Sequence, residues 1–120
     1  MIKMAEHNEK GKFGEEEAHQ YLVSKGFAIL ETNWVYGKEE VDIIAQDGDF
    51  LVFVEVKTRA SDRHGRPEEF VGRQKQKHLI RAANAYVERK DLYLEIRFDI
   101  IAVTLYPDLR IEHLRDAFYP

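Results

Sequence analysis

The stretch EVDIIAQDGDFLVFVEVK, residues 40–57, limits what this chain can fold into more than any other segment. Two apolar, largely β-branched runs flank Asp47-Gly48, a dipeptide that favours a tight hairpin between two strands. If Asp47 and Gly48 are the loop, Gln46 faces Asp49, and pairing runs outward to Asp42 opposite Phe53 and Glu40 opposite Glu55. Strand side chains alternate with period two, so the turn also decides which residues share a face. Asp42, Glu55 and Lys57 are then expected on one face with Glu40, Ile44, Leu51 and Phe53. The other face, with Val41, Ile43, Ala45, Val52, Val54 and Val56, is wholly apolar.

Around this hairpin the elements follow an α-β-β-β-α-β-β order. Residues 8–25 read as a helix with Phe13, Ala18, Tyr21 and Leu22 inward and Gly26 as its stop. Strands are expected at 27–34, 40–46, 50–57, 96–105 and 109–114. The segment 58–69, with Gly65 and Pro67, reads as a loop, and 70–89 as a second helix with Val71, His78, Leu79, Ala82 and Tyr86 near one stripe. The pattern predicts an α/β fold with a mixed central sheet and flanking helices, not a doubly wound nucleotide fold. At 120 residues the chain reads as one domain, 1–120, with residues 1–7 a loose N-terminal tail. It has no cysteine, no signal-like segment and no apolar run long enough for a bilayer, which points to a soluble, cytoplasmic protein.

A carboxylate and an ammonium two positions apart, Glu55 and Lys57, are unusual in so apolar a strand. They either form an ion pair at the strand's end or are reagents on a rigid support. Asp42 on the neighbouring strand brings the second reading level with the first. Two carboxylates packed closely repel unless a proton or a metal lies between them. Oxygen ligands without Cys or His favour a hard ion, Mg²⁺ or Mn²⁺. With Lys57 beside it, such a site has the parts that phosphodiester hydrolysis needs: a metal that activates water and a cation that offsets developing charge. The net charge of −4 argues against a general nucleic-acid coat. Between Lys57 and Arg81, however, eight Lys or Arg stand against three acids. Arg59, Arg63, Arg66, Arg73 and Lys77 in this band are candidates for phosphate-backbone contacts, and a solvated surface is the alternative.

The spacing Asp42…Glu55-Val56-Lys57 resembles the Asp…Glu-x-Lys signature of the restriction-endonuclease-like superfamily. More closely, KGKFGEEEAHQYLVSKGFAILETNW at 10–34, EVDIIAQDGDFLVFVEVKTRA at 40–60, Val71, Lys75 and Ala82 on the second helix, and RFDIIAV at 97–103 resemble the YraN-like family. These are small uncharacterised bacterial proteins similar to archaeal Holliday junction resolvases. The resemblance implies a restriction-endonuclease-like core and a metal-dependent DNA endonuclease acting on branched or damaged DNA, with one or two Mg²⁺ or Mn²⁺ ions and a twofold dimer to match symmetric junctions. It implies Asp42, Glu55 and Lys57 as catalytic residues and Asp42, Glu55 and Glu15 as metal ligands. Glu40, with Lys75 or Gln74, would stand behind them. Periodicity alone leaves Glu15 and Glu17 equivalent at the edges of the helix's inner arc. The family pattern has a glycine where this chain has Glu39. A reading of another class is a non-catalytic nucleic-acid- or protein-binding module on the same scaffold. Asp99 either joins the carboxylates or pairs with Arg97, and the second is favoured. Trp34 and Tyr36 read as rim packing.

Overall fold

The structure, a computed structural model, describes residues 2–61 and 71–120, with side chains described from residue 9 onward. The first helix, α1 (Ile2–Ser24), begins six residues earlier than its apolar pattern suggests and ends before Gly26. Gly26 adopts φ +91°, a left-handed conformation in which glycine carries no steric penalty. Strands β1 (Ala28–Tyr36), β2 (Glu39–Asp47) and β3 (Phe50–Arg59) follow, then helix α2 (Arg73–Lys90) and strands β4 (Glu95–Thr104) and β5 (Arg110–Phe118). The element order is the expected one. Helix α2 starts at Arg73 instead of residue 70, with Gly72 at its N-cap.

The five strands form one mixed sheet in the order β1-β2-β3-β4-β5. Every neighbouring pair is antiparallel except β3 and β4, which run parallel with α2 as their connection. Alternation along the strands feeds two cores. Ile44, Leu51, Phe53, Phe98 and Ile100 pack under Leu79, Ala82, Ala83 and Tyr86 of α2. Ile43, Ala45, Val52, Val54, Val56, Ile101 and Val103 pack under Ala18 and Leu22 of α1. Each fully buried large apolar side chain contributes roughly 1.5–3 kcal/mol, so the central strands are the most firmly held part of the fold. Among the described residues no helix is long and apolar enough to cross a membrane.

Three sequence expectations change. Phe13 is 42% exposed, not core; it lies with Leu105, Tyr106 and Leu109. The hairpin loop is Gly48-Asp49, because Asp47 pairs with Phe50. Gly48 has φ +60° at the first loop position, which suits a two-residue turn with glycine there and spares Asp47 a left-handed backbone. Each β2 residue therefore pairs two positions further along β3 than expected. A two-residue shift leaves faces unchanged but carries Asp42 from Phe53 towards Glu55. The third change is Val41, which packs in the α2-side core while Ile43 packs in the α1-side core. The alternation breaks at Asp42.

Asp99 takes its structural alternative. Its carboxylate, fully buried, accepts from Arg97 Nε and Nη2 at 2.9 Å each and from the Asp116 N–H, with His113 Nε2 at 2.7 Å. Arg97 also donates to Asp47 Oδ2 at 3.0 Å. These bonds hold the Asp99 carboxyl below its ordinary pKa despite the opposing effect of burial.

Candidate active site where two strands part

The ladder between β2 and β3 ends at Ile43 and Val54, one step short of Asp42. Beyond that point β3 keeps its parallel partner β4 up to Arg59. On its other side Val56 N–H lacks a β2 carbonyl, and a backbone donor in such a place needs an acceptor. Asp42 Oδ2 supplies it at 2.7 Å. The acid thus substitutes for a sheet hydrogen bond, which fixes its carboxyl at the fork. Asp42 lines the α1-side cleft next to Ile43 instead of continuing the Ile44 face. Glu55, from β3, reaches towards α2. The two acids meet at the fork from different sides, so the expectation of one shared face is corrected while their juxtaposition stands.

The electrostatics express that closeness. Burial, then the Glu55 charge, pushes the Asp42 carboxyl up from 3.8 to about 8, against the opposing Val56 hydrogen bond. Glu15 adds to the rise and Lys75 lessens it. Glu55 is also raised, by burial first; Lys75, Lys57 and a hydrogen bond with Asp42 pull it back. Glu55 is only 4% exposed, and its Oε2 has no hydrogen-bond partner. Lys75 Nζ stands 3.7 Å from that oxygen, and Lys57 Nζ stands 4.0 Å from Oε1. Both cations are at ion-pair range, leaving the carboxylate under-coordinated.

This set fits a divalent ion. A buried Glu55 oxygen without a hydrogen bond, in a carboxyl that interacts with a second acid whose ionisation is disfavoured, offers the hard oxygen donors that Mg²⁺ or Mn²⁺ takes. Among the described residues no group of three or more acidic or histidine side chains is close enough to enclose an ion. Mg²⁺ commonly uses one or two carboxylates and fills its shell with water and substrate phosphate, so two acids suffice. Glu15, the expected third ligand, instead accepts from Asn33 Nδ2 at 2.7 Å and lines the same cleft as Asp42. Gly14 beside it packs closely: a Cβ there would overlap the Thr58 side chain, so α1 lies directly against β3.

The remaining candidates separate clearly. Lys75 bridges Glu55 and Glu39, whose Oε2 is 3.5 Å away. His78 Nε2 is 3.7 Å from the other Glu39 oxygen. Glu39 therefore occupies the supporting place expected of Glu40, which is exposed, as is Gln74. Arg59 is not presented to solvent as a phosphate contact: its Nε donates to Thr104 Oγ1 at 3.0 Å, and Glu112 lies 3.8 Å from its Nη2. Arg73 and Lys77 are exposed on α2, and Arg63 and Arg66 lie outside the described residues. Trp34 and Tyr36 stack at 6.2 Å against the α2-side core, as rim packing predicts. Glu39 and Asn33 escaped the sequence reading. Lys75 on a buried stripe was a signal that a second anion was needed. Asn33, with φ +49° inside a strand, has only asparagine's tolerance of left-handed backbone as a signal.

Residues 14–103 match the family described as Uncharacterised protein family UPF0102. The chain belongs to this family. A UPF0102 protein of Flavobacterium psychrophilum is 55% identical over 117 residues, covering 97% of this chain and 98% of its own. Those of Christiangramia forsetii and Phocaeicola vulgatus are 50% and 47% identical, and each alignment spans at least 97% of both chains.

Proposed function

We propose that this UPF0102 protein is a metal-dependent phosphodiesterase-type domain with a restriction-endonuclease-like core, acting on DNA. The observation that carries the reading is the interacting Asp42–Glu55 pair, with Glu55 buried and its Oε2 lacking a hydrogen bond. Asp42 and Glu55 would hold one or two Mg²⁺ or Mn²⁺ ions. When bound, the ion lowers the pKa of water and polarises the phosphate. Lys57, with its side chain 38% exposed, reaches from the buried strand towards solvent and can orient the attacking water and offset charge on the phosphoryl oxygens. Lys75, restrained by Glu39, opposes the rise that burial imposes on the Glu55 carboxyl. Arg73 and Lys77, one turn apart on α2, are placed to contact backbone phosphates without reading sequence. A twofold dimer would present two such sites to a branched substrate.

Calorimetric titration with Mn²⁺, followed by incubation with labelled branched, nicked and linear DNA, tests this. Wild type is expected to bind the ion and cut, and Glu55→Ala to lose both. Lys57→Ala is expected to bind the ion without cutting. Absence of Mn²⁺ binding in the wild type would instead favour a non-catalytic binding module.

A further inference from the structure

The cleft between α1 and the β1–β2 edge has a volume of ≈590 Å³ and opens beside Asp42. It is separate from the α2 surface that carries Arg73 and Lys77. Its size falls within the range of about 300–1,000 Å³ typical of small-ligand pockets, which takes a nucleotide but no duplex. We propose that this cleft receives one unstacked nucleotide of the substrate strand, its sugar and base inside and its phosphate at the Asp42 end. The proposal rests on the phosphodiesterase reading and narrows it: the position next to the cut has to be unpaired.

The lining argues for the uncharged part of a nucleotide. Gln20 and Asn33 present amides, which have both donors and acceptors, Thr32 a hydroxyl and His19 an imidazole. Such groups match the mixed edge of a base or a sugar hydroxyl. Glu15 and Glu16 set two carboxylates against the single ammonium of Lys12, with Asp42 at the fork end of the cleft. That balance repels a second phosphate, so the charged end of a nucleotide stays at the fork, where a divalent ion would receive it. The helix supplies its share by periodicity: Lys12, Glu15, Glu16, His19 and Gln20 recur three to four residues apart and form one stripe. Ala18 and Leu22 anchor the adjacent stripe on the sheet. On β1, Asn33 is clamped to Glu15 across the cleft, which fixes the width at that point.

The two helices lie on opposite faces of the sheet. A strand whose backbone rests on α2 must pass the fork to place a nucleotide in the α1 cleft, and a paired base cannot follow it. Taking a base out of the stack costs free energy, least where the base is already unpaired. Gaps, flaps and strand ends are the DNA forms that meet this demand.

The test uses the full chain, with Mg²⁺ and thymidine 5′-monophosphate as probes, followed by NMR of backbone and side-chain amides. With Mg²⁺ present, the nucleotide is expected to shift the Asn33 and Gln20 side-chain amides. Gln20→Trp, which fills the cleft from an exposed helix position, is expected to weaken nucleotide binding at least tenfold with Mg²⁺ affinity unchanged. Gln20→Ala, which only removes the amide, is expected to weaken it several-fold and guards against a folding defect in the larger variant. Mg²⁺ binding without nucleotide binding, or nucleotide shifts confined to α2, would overturn the cleft assignment and leave the metal reading standing. Nucleotide in the cleft without Mg²⁺ binding would do the reverse. If neither probe binds, both fall.

Discussion

Replacing Asp42 with Asn is expected to make the metal-free protein more stable at neutral pH, although it alters a residue placed at the centre of the site. The carboxyl is pushed from 3.8 to about 8 in the fold. At pH 7 an unfolded Asp is ionised, whereas the folded one retains its proton. Unfolding therefore releases a proton, and stability falls as pH rises. This group costs nothing below about pH 4; its penalty grows between about 4 and 8 and is constant above. From 3.8 to pH 7 is roughly three pH units, and at about 1.4 kcal/mol per unit the penalty reaches at most about 4 kcal/mol. Asn keeps an oxygen for the Val56 N–H and has no charge to bury. A gain of about 2–4 kcal/mol follows, or on the order of 10 °C in Tm for a chain of this length.

Urea denaturation in chelator at pH 4, 5.5, 7 and 8.5 measures this. The two proteins are expected to converge near pH 4 and separate as pH rises. Saturating Mn²⁺ is then expected to stabilise wild type, because a ligand that binds only the folded state adds RT ln(1 + [L]/Kd), and to leave Asp42→Asn unchanged. An Asn variant that is no more stable at pH 7, with an unaltered pH slope, would show that the fork does not strain Asp42 and remove the physical basis for a cation there.

Gly14→Ala places a methyl group on the Thr58 side chain and is expected to cost about 1–3 kcal/mol in urea melts, with Thr58→Ala in the same chain restoring part of the loss. Lys75→Met removes the cation 3.7 Å from Glu55 Oε2; Mn²⁺ calorimetry is expected to show severalfold tighter binding, because a competing positive charge has gone. Asp99→Asn leaves Arg97 buried without its bidentate partner and is expected to cost about 3–5 kcal/mol at pH 7. Because the Asp99 carboxyl is depressed in the fold, its contribution is present above pH 3.8 and lost as pH falls through the lower folded value, so the mutant's deficit is expected to shrink in strong acid.

The element order and the two cores could be read from period alone, because Ile44, Leu51 and Phe53 alternate with Ala45, Val52 and Val54 without interruption. The hairpin register could not. Asp47-Gly48 and Gly48-Asp49 are both acceptable two-residue loops by composition, and what separates them is Asp47, which pairs with Phe50 and has no left-handed backbone. The error was harmless for faces, since two positions preserve parity, and it understated how closely Asp42 approaches Glu55. The side exchange at Val41 was hidden for a different reason. It arises where β2 leaves β3, and no local sequence pattern marks the end of a ladder between two strands that are both apolar.

That same departure explains why the perturbed pair of acids is here and not elsewhere in the sheet. A regular ladder would have given the Val56 N–H a carbonyl partner and aimed Asp42 along the Ile44 face. The fork withdraws the carbonyl, recruits the carboxylate in its place, and leaves Glu55 beside it with one oxygen lacking a hydrogen bond. Asp99 shows the contrast. It is the more buried acid, but Arg97, His113 and a backbone N–H complete its coordination and hold its pKa down. Burial alone therefore does not raise an acid's pKa; incomplete coordination at the end of a strand pair does, and in this sheet that condition is met at Glu55.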